Sequence, residues 1–180
     1  MSLARTLTVF LDRDGTINRK PPEGSYVIRP EELELLTGAA TAIRRLNDAG
    51  ATVVVVTNQR GVARGLMSES ELGRIHTRMR EALGAEGAHV DAVYSCVHER
   101  GECQCRKPQP GLLTQAMAEY PEIAGSRLVM VGDSVSDVEA GRAVGATTVL
   151  IGESSGAAAA ASPAYIAESI GVAVDWILTR

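Results

Sequence analysis

The sequence predicts an α/β fold: a three-layer, Rossmann-like arrangement with a central parallel sheet. Two observations carry this. Five short runs, 7–11, 52–56, 90–95, 128–131 and 147–151, are almost continuously apolar and rich in Val, Leu and Ile. Between them apolar residues return at helical spacing. Strands that lack polar alternation are buried on both faces, and strands alternating with helices form parallel sheets covered on both sides.

The elements follow in order. Leu7 to Leu11 reads as a buried strand, and Ala39, Ile43 and Leu46 mark a helix after it. The run from Thr52 to Val56 is β-branched and ends at Thr57-Asn58. Leu72, Ile75, Met79 and Leu83 share one helix face, and Ser68 with Glu71 is a capping-box start. Leu113, Ala116, Met117 and Tyr120 outline another helix. Ser162-Pro163 is expected to open the last helix, with Ile166, Ile170 and Ile177 on its inner face. Residues 152–161 are Gly-, Ser- and Ala-rich and are expected to form a mobile loop. No insertion is long enough for a cap domain, so residues 1–180 are expected to form one domain.

Composition narrows the function. A length of 180 residues supports one substantial core, and aromatics at 3% make that core aliphatic. The net charge of -4 argues against a nucleic-acid groove. No apolar run approaches the roughly 20 residues of a membrane span, and the N-terminus lacks a secretory stretch. Three cysteines, an odd number, argue against a disulfide framework and for a reducing cytoplasm. A monomer is expected.

Four short pieces suit one reaction: Asp12-Arg13-Asp14-Gly15-Thr16, Thr57-Asn58, Lys107, and Gly132-Asp133-Ser134 with Asp137. Asp12, Thr57 and Asp133 each follow an apolar run closely, and in open α/β sheets such strand ends converge on one cleft. Alone, each reads equally as a turn residue or helix cap. Together they match phosphoryl transfer, which needs a nucleophile, charge neutralisation and a proton donor. Asp12 suits a covalent nucleophile. Carboxylate and phosphate repel, so a cation is required, and Mg²⁺ suits Asp12 with Asp133. Arg13 is expected on the opposite face, without a catalytic role.

A second cluster lies at 96–105. Cys96, His98, Cys103 and Cys105 fall within ten residues and include every cysteine of the chain. Three Cys and one His suit a structural tetrahedral Zn²⁺. The alternatives are a reduced buried cluster or a Cys103–Cys105 disulfide. The loop runs directly into Arg106-Lys107, so zinc would fix the segment presenting both.

These motifs resemble the haloacid dehalogenase superfamily of phosphatases, over residues 10–145. The resemblance implies that Asp12 attacks phosphorus and that Asp14 protonates the leaving alcohol, then activates water. It implies Mg²⁺ held by Asp12, the Asp14 backbone carbonyl and Asp133, with Asp137 in the outer shell. Thr57 and Lys107 would bind the transferring phosphoryl.

Three longer stretches are similar to the capless heptose 1,7-bisphosphate phosphatases within that superfamily. They are Phe-Leu-Asp-Arg-Asp-Gly-Thr-Ile-Asn at 10–18, Thr-Asn-Gln-Arg-Gly-Val-Ala-Arg-Gly at 57–65, and the Cys/His loop into Cys-Arg-Lys-Pro. This likeness implies a small phosphorylated sugar as substrate, losing its 7-phosphate. Asn58, Gln59 and Arg60 would line it, Arg106 would contact the unreactive end, and Glu23-Gly24-Ser25-Tyr26 would close over it. The short spacer from His98 to Cys103 is closer to histidinol-phosphate phosphatases. Polynucleotide 3′-phosphatases carry similar Thr-Asn-Gln and Arg-Lys-Pro segments. A receiver-like module also uses a strand-end aspartate, but has no need of an acid at Asp14.

Overall fold

The computed structural model describes residues 7–153 and 156–180. Six parallel strands form one sheet: β1 (Leu7–Leu11), β2 (Thr52–Asn58), β3 (Ala92–Cys96), β4 (Arg127–Gly132), β5 (Thr147–Ile151) and β6 (Tyr165–Ala167). Their order is β3-β2-β1-β4-β5-β6. Connections therefore run outward in both directions from β1, and the switch point lies between β1 and β4, where α/β sheets place ligands. Leu11 is level with Val55 on one side and Val131 on the other.

Helices α1 (Ala39–Asp48), α2 (Glu69–Ala85), α3 (Gly111–Glu119), α4 (Val135–Ala143), α5 (Gly156–Ala161) and α6 (Ile170–Leu178) cover the sheet. The strands divide their side chains between two cores. Val9, Leu11, Val53, Val55, Val129 and Val131 pack with Ile43 and Leu46 of α1, Ile75 and Met79 of α2, and Ile177 of α6. Phe10, Val54, Val56 and Met130 point the other way, onto Leu112, Leu113 and Ala116 of α3 and Ala140 of α4. Each such buried aliphatic side chain stabilises the fold by about 1.5–3 kcal/mol. A strand buried on both faces has no polar side to show, which is why these runs read as continuously apolar.

Two expectations change. Residues 165–167 are not helical: they pair with β5 as an edge strand, Leu150 level with Ile166, and the last helix begins only after Ser169 accepts from the Val172 N–H. The Tyr-Ile-Ala run is better suited to extending the sheet than to continuing from Ser162, whose φ of 50° is left-handed. Within 152–161, residues 156–161 form α5, as an Ala-rich run favours, while Ser154 and Ser155 lie outside the described residues. The stretches leaving the active end of the sheet, 12–38 and 97–110, are irregular apart from a 3₁₀ turn at Pro30–Glu32 and isolated β-bridges of Asn18 with Asp14 and Leu35. No helix among the described residues is long and apolar enough to cross a membrane.

Candidate active site

The end of β1 builds the floor of the site. The Asp12 N–H donates to the Val131 carbonyl at 2.9 Å, which ties the first residue beyond β1 to β4. The chain then turns around the Arg13 carbonyl, which accepts from the N–H groups of Thr16, Ile17 and Asn18. Gly15 makes the turn possible, with φ +85°, and a Cβ there would fall 2.2 Å from Asp133 Oδ2. Beyond β4, Ser134 opens α4, and Asp137 Oδ2 accepts from the Ser134 N–H at 3.0 Å and its hydroxyl at 2.7 Å.

Lys107 is the cation of this floor. Its ammonium lies 2.8 Å from Asp12 Oδ1, 2.6 Å from Asp137 Oδ1 and 2.7 Å from the Val56 carbonyl. It donates hydrogen bonds to Asp12 and the Val56 carbonyl, pairs by charge with Asp137, and the residue is 3% exposed. Asn58 holds it in place: the Asn58 amide donates to the Lys107 carbonyl and accepts from the Lys107 N–H, both at 3.0 Å.

Burial pushes the Asp12 carboxyl up to about 7 against the pull of Lys107, with Asp137 and Asp14 pushing it further. Burial would lower the Lys107 ammonium, but Asp12 and Asp137 outweigh it and raise it. Asp133 is raised by burial against its 2.6 Å ion pair with Lys20. The floor thus has more buried negative charge than its one buried lysine balances. Ligand oxygens of Asp12, Asp133 and Asp137 lie within 4.8 Å of one another. A hard divalent cation with oxygen ligands fits this donor set.

Asp14 faces differently. Its two carboxylate oxygens accept from Arg13, from Asn18 Nδ2 at 2.9 Å and from Gln59 Nε2 at 2.8 Å. Gln59 Nε2 also donates to Thr57 Oγ1 at 2.8 Å, which leaves the Thr57 hydroxyl proton to donate.

Above the floor lies a cleft of about 360 Å³. It is lined by Asp12, Asp14, Thr57, Asn58, Arg106, Lys107, Asp133 and Asp137, and by Glu23, Gly24, Ser25 and Tyr26. The expected contacts Gln59 and Arg60 do not line it. Gln59 is fully buried behind Asp14 and Thr57. Arg60 donates to the Tyr26 hydroxyl at 3.1 Å and to Glu99 at 3.0 Å, and so ties the 20s loop to the Cys/His loop. Two cations that sequence reasoning passed over do line it, Lys20 and Arg100. Arg100 sits inside the Cys/His loop, so its nearness to Arg106 was a usable signal. Arg106 Nη1 is buried and has no hydrogen-bond partner.

The second cluster also assembles. Cys96 Sγ lies 3.5 Å from Cys103 Sγ and 3.7 Å from His98 Nδ1, while Cys105 Sγ lies 3.2 Å from Cys103 Sγ and 3.3 Å from His98 Nδ1. The cysteines are free thiols, which removes the Cys103–Cys105 disulfide. The separations approach the roughly 3.5–3.8 Å edges of a tetrahedron with ordinary Zn–S and Zn–N bonds. Gly111, at the start of α3, packs against this loop so closely that a Cβ would lie 2.3 Å from the Gln104 carbonyl oxygen.

A family model described as HAD-hydrolase-like matches residues 104–173. A D-glycero-D-manno-heptose-1,7-bisphosphate 7-phosphatase of Thermosynechococcus vestitus is 38% identical, over 96% of this chain and 95% of its own. The chain belongs to the haloacid dehalogenase-like phosphatases. Another such phosphatase, the β-anomer-named heptose enzyme of Rhodopseudomonas palustris, is 41% identical over 80% of this chain and 82% of its own. Among solved structures, the D,D-heptose 1,7-bisphosphate phosphatase of B. bronchiseptica, complexed with magnesium and phosphate, superimposes with a TM-score of 0.85. It is 32% identical and covers 96% of this chain and 98% of its own. As a haloacid dehalogenase-like phosphatase, the chain is a phosphoric monoester hydrolase.

Proposed function

We propose that this phosphatase removes the 7-phosphate of D-glycero-D-manno-heptose 1,7-bisphosphate through an aspartyl-phosphate on Asp12. The observation that carries the reading is one cleft whose lining joins Asp12, Asp14 and Lys107 to two further guanidinium groups, Arg100 and Arg106, the second with its Nη1 lacking a hydrogen-bond partner. One phosphate is attacked at the floor while a second meets guanidinium, which binds phosphate bidentately. The names of the relatives support the sugar.

Each side chain has a task. Asp12 attacks phosphorus, and the leaving sugar oxygen takes its proton from Asp14. Asp14 then takes a proton from the water that hydrolyses the phosphoryl-aspartate. Thr57 donates its hydroxyl to the transferring group, and Lys107 balances charge at Asp12. Asp12 and Asp133, with the Asp14 backbone carbonyl, would hold Mg²⁺, and Asp137 stands behind them, its oxygens already used by Ser134 and Lys107. The metal supplies positive charge against carboxylate–phosphate repulsion. Residues 1–180 act as one capless, monomeric domain in a reducing cytoplasm, and the loops set specificity.

A panel of substrates tests this, comparing kcat/KM for both anomers of the heptose bisphosphate, the monophosphate, histidinol phosphate, a 3′-phosphorylated oligonucleotide and an aryl phosphate. The bisphosphate is expected to be preferred. Arg106→Ala should lower kcat/KM on it by about 1.5–3 kcal/mol, roughly ten- to more than a hundredfold, and leave aryl phosphate comparatively intact. Equal losses on every substrate would place Arg106 on the reacting phosphate. The four-residue spacer between His98 and Cys103 favours a second reading, histidinol phosphate. A clear preference for that ester would move the assignment.

Cys96, His98, Cys103 and Cys105 hold one structural Zn²⁺. Protein purified without chelator is expected to contain one zinc per chain. Cys103→Ser should cost at least about 2 kcal/mol, some 4–8 °C in Tm for a chain of this size. Zinc-free protein of unchanged Tm would remove the site.

A further inference from the structure

Arg13 has no place in the chemistry so far. Its side chain is fully buried, and it does not line the cleft. Its guanidinium nevertheless spans from the core to the proposed acid. Nη2 lies 3.0 Å from both Asp14 oxygens and Nε lies 3.3 Å from Oδ1. Nη1 lies 3.3 Å from His76 Nε2 on α2. Burial, with Arg13 beside it, pulls His76 down to about 3, so the ring is neutral and accepts from the guanidinium.

We propose that Arg13, braced from behind by His76, is a positioning residue that fixes the plane of the Asp14 carboxyl for both of its proton transfers. A buried ion pair adds little net stability compared with an apolar replacement. Its presence here, one residue from the nucleophile, is therefore better accounted for by geometry. A single donor leaves a carboxyl free to rotate, whereas two nitrogens reaching both oxygens fix its plane. Asn18 and Gln59 then hold one oxygen each. Proton transfer to a leaving oxygen depends steeply on such placement.

The inference rests on Asp14 being the acid and base, and the experiment separates the two ideas. Arg13→Met, Arg13→Lys and His76→Gln are compared with Asp14→Asn and with the Arg13→Met/Asp14→Asn double variant. Each is assayed on an alkyl phosphate, which needs a proton donor, and on an aryl phosphate with a good leaving group, which needs little. Magnesium binding by calorimetry and Tm are followed in parallel. Arg13→Met is expected to lower kcat on the alkyl ester about 10- to 100-fold with KM nearly unchanged, and to affect phosphoryl-enzyme formation from the aryl ester far less. Arg13→Lys should recover part of the loss, and His76→Gln should lose less than Arg13→Met. In the Asp14→Asn background Arg13→Met should cost nothing more, because its effect passes through Asp14. If Arg13→Met does not fold, Arg13→Lys with and without Asp14→Asn gives the same comparison. Equal losses in the rate of phosphoryl-enzyme formation from the two esters, or losses that add in the double variant, would overturn the positioning role. Unchanged alkyl ester hydrolysis by Asp14→Asn alone would overturn the role of Asp14 as well, and both ideas would fall.

Discussion

Asp12→Asn should abolish turnover. The expected loss in kcat is at least about four orders of magnitude, as for other enzymes deprived of their nucleophile. An amide has the same shape but cannot form the acyl phosphate, and it brings no negative charge to the cation site. The fold should survive. Asp12 is partly exposed to the cleft, and the amide oxygen can still accept from Lys107. Removing a carboxyl that burial pushes up to about 7 also removes part of the floor's electrostatic strain, so Tm should hold or rise slightly. Activity assays and thermal melts on the same preparation check both halves of this expectation.

Lys107→Met should damage the protein in two ways. The ammonium stands between Asp12 and Asp137 and also caps the Val56 carbonyl. Without it two carboxylates face each other with no buried cation between them. Breaking a buried pair in this way costs about 3–5 kcal/mol, and more than 10²-fold in kcat should be lost as well. The pH dependence follows from the sign of the shift. The folded ammonium is raised above its ordinary 10.5, so its contribution to stability is fully present below pH 10.5 and is lost only as pH rises through the folded value. Asp12 is pushed up to about 7 even with Lys107 pulling it down, and losing the lysine raises it further, so the ΔG of unfolding separating wild type from Lys107→Met should grow as pH rises above neutral towards about 10. Urea unfolding at several pH values measures this. An unchanged ΔG would mean that the lysine is not the charge that organises the floor.

Local pattern revealed the strand ends and the ligand clusters because both are local properties. An aspartate after LTVFL and another after the apolar run ending at Val131 are visible as soon as the runs are. Four thiol and imidazole ligands in ten residues need no tertiary information. What pairs with what was not visible. The strand alternation puts Arg13 on the opposite face without a catalytic role, yet its guanidinium pairs with Asp14. Asn58 was expected to line the substrate, and it does line the cleft, but its amide is spent on the Lys107 backbone. Gln59 and Arg60 hold the acid and the loops from behind. These residues lie 45 to 49 positions from their partners, or 34 to 39 for Arg60, and only the parallel pairing of neighbouring strands brings them together. The edge strand at 165–167 was missed for the same reason: a three-residue run becomes a strand only when β5 is beside it.

The covalent step is the centre of the proposed chemistry, and one measurement reaches it directly. The Asp14→Asn variant, mixed with magnesium and an aryl phosphate and quenched in acid, is digested and mapped by mass. Without its base the phosphoryl-enzyme should persist, and the peptide carrying Asp12 should gain the mass of one phosphoryl group, with the adduct on Asp12 itself. Release of the aryl alcohol with no adduct at any time point, in wild type or variant, would show that water attacks the ester directly and that Asp12 is not the nucleophile.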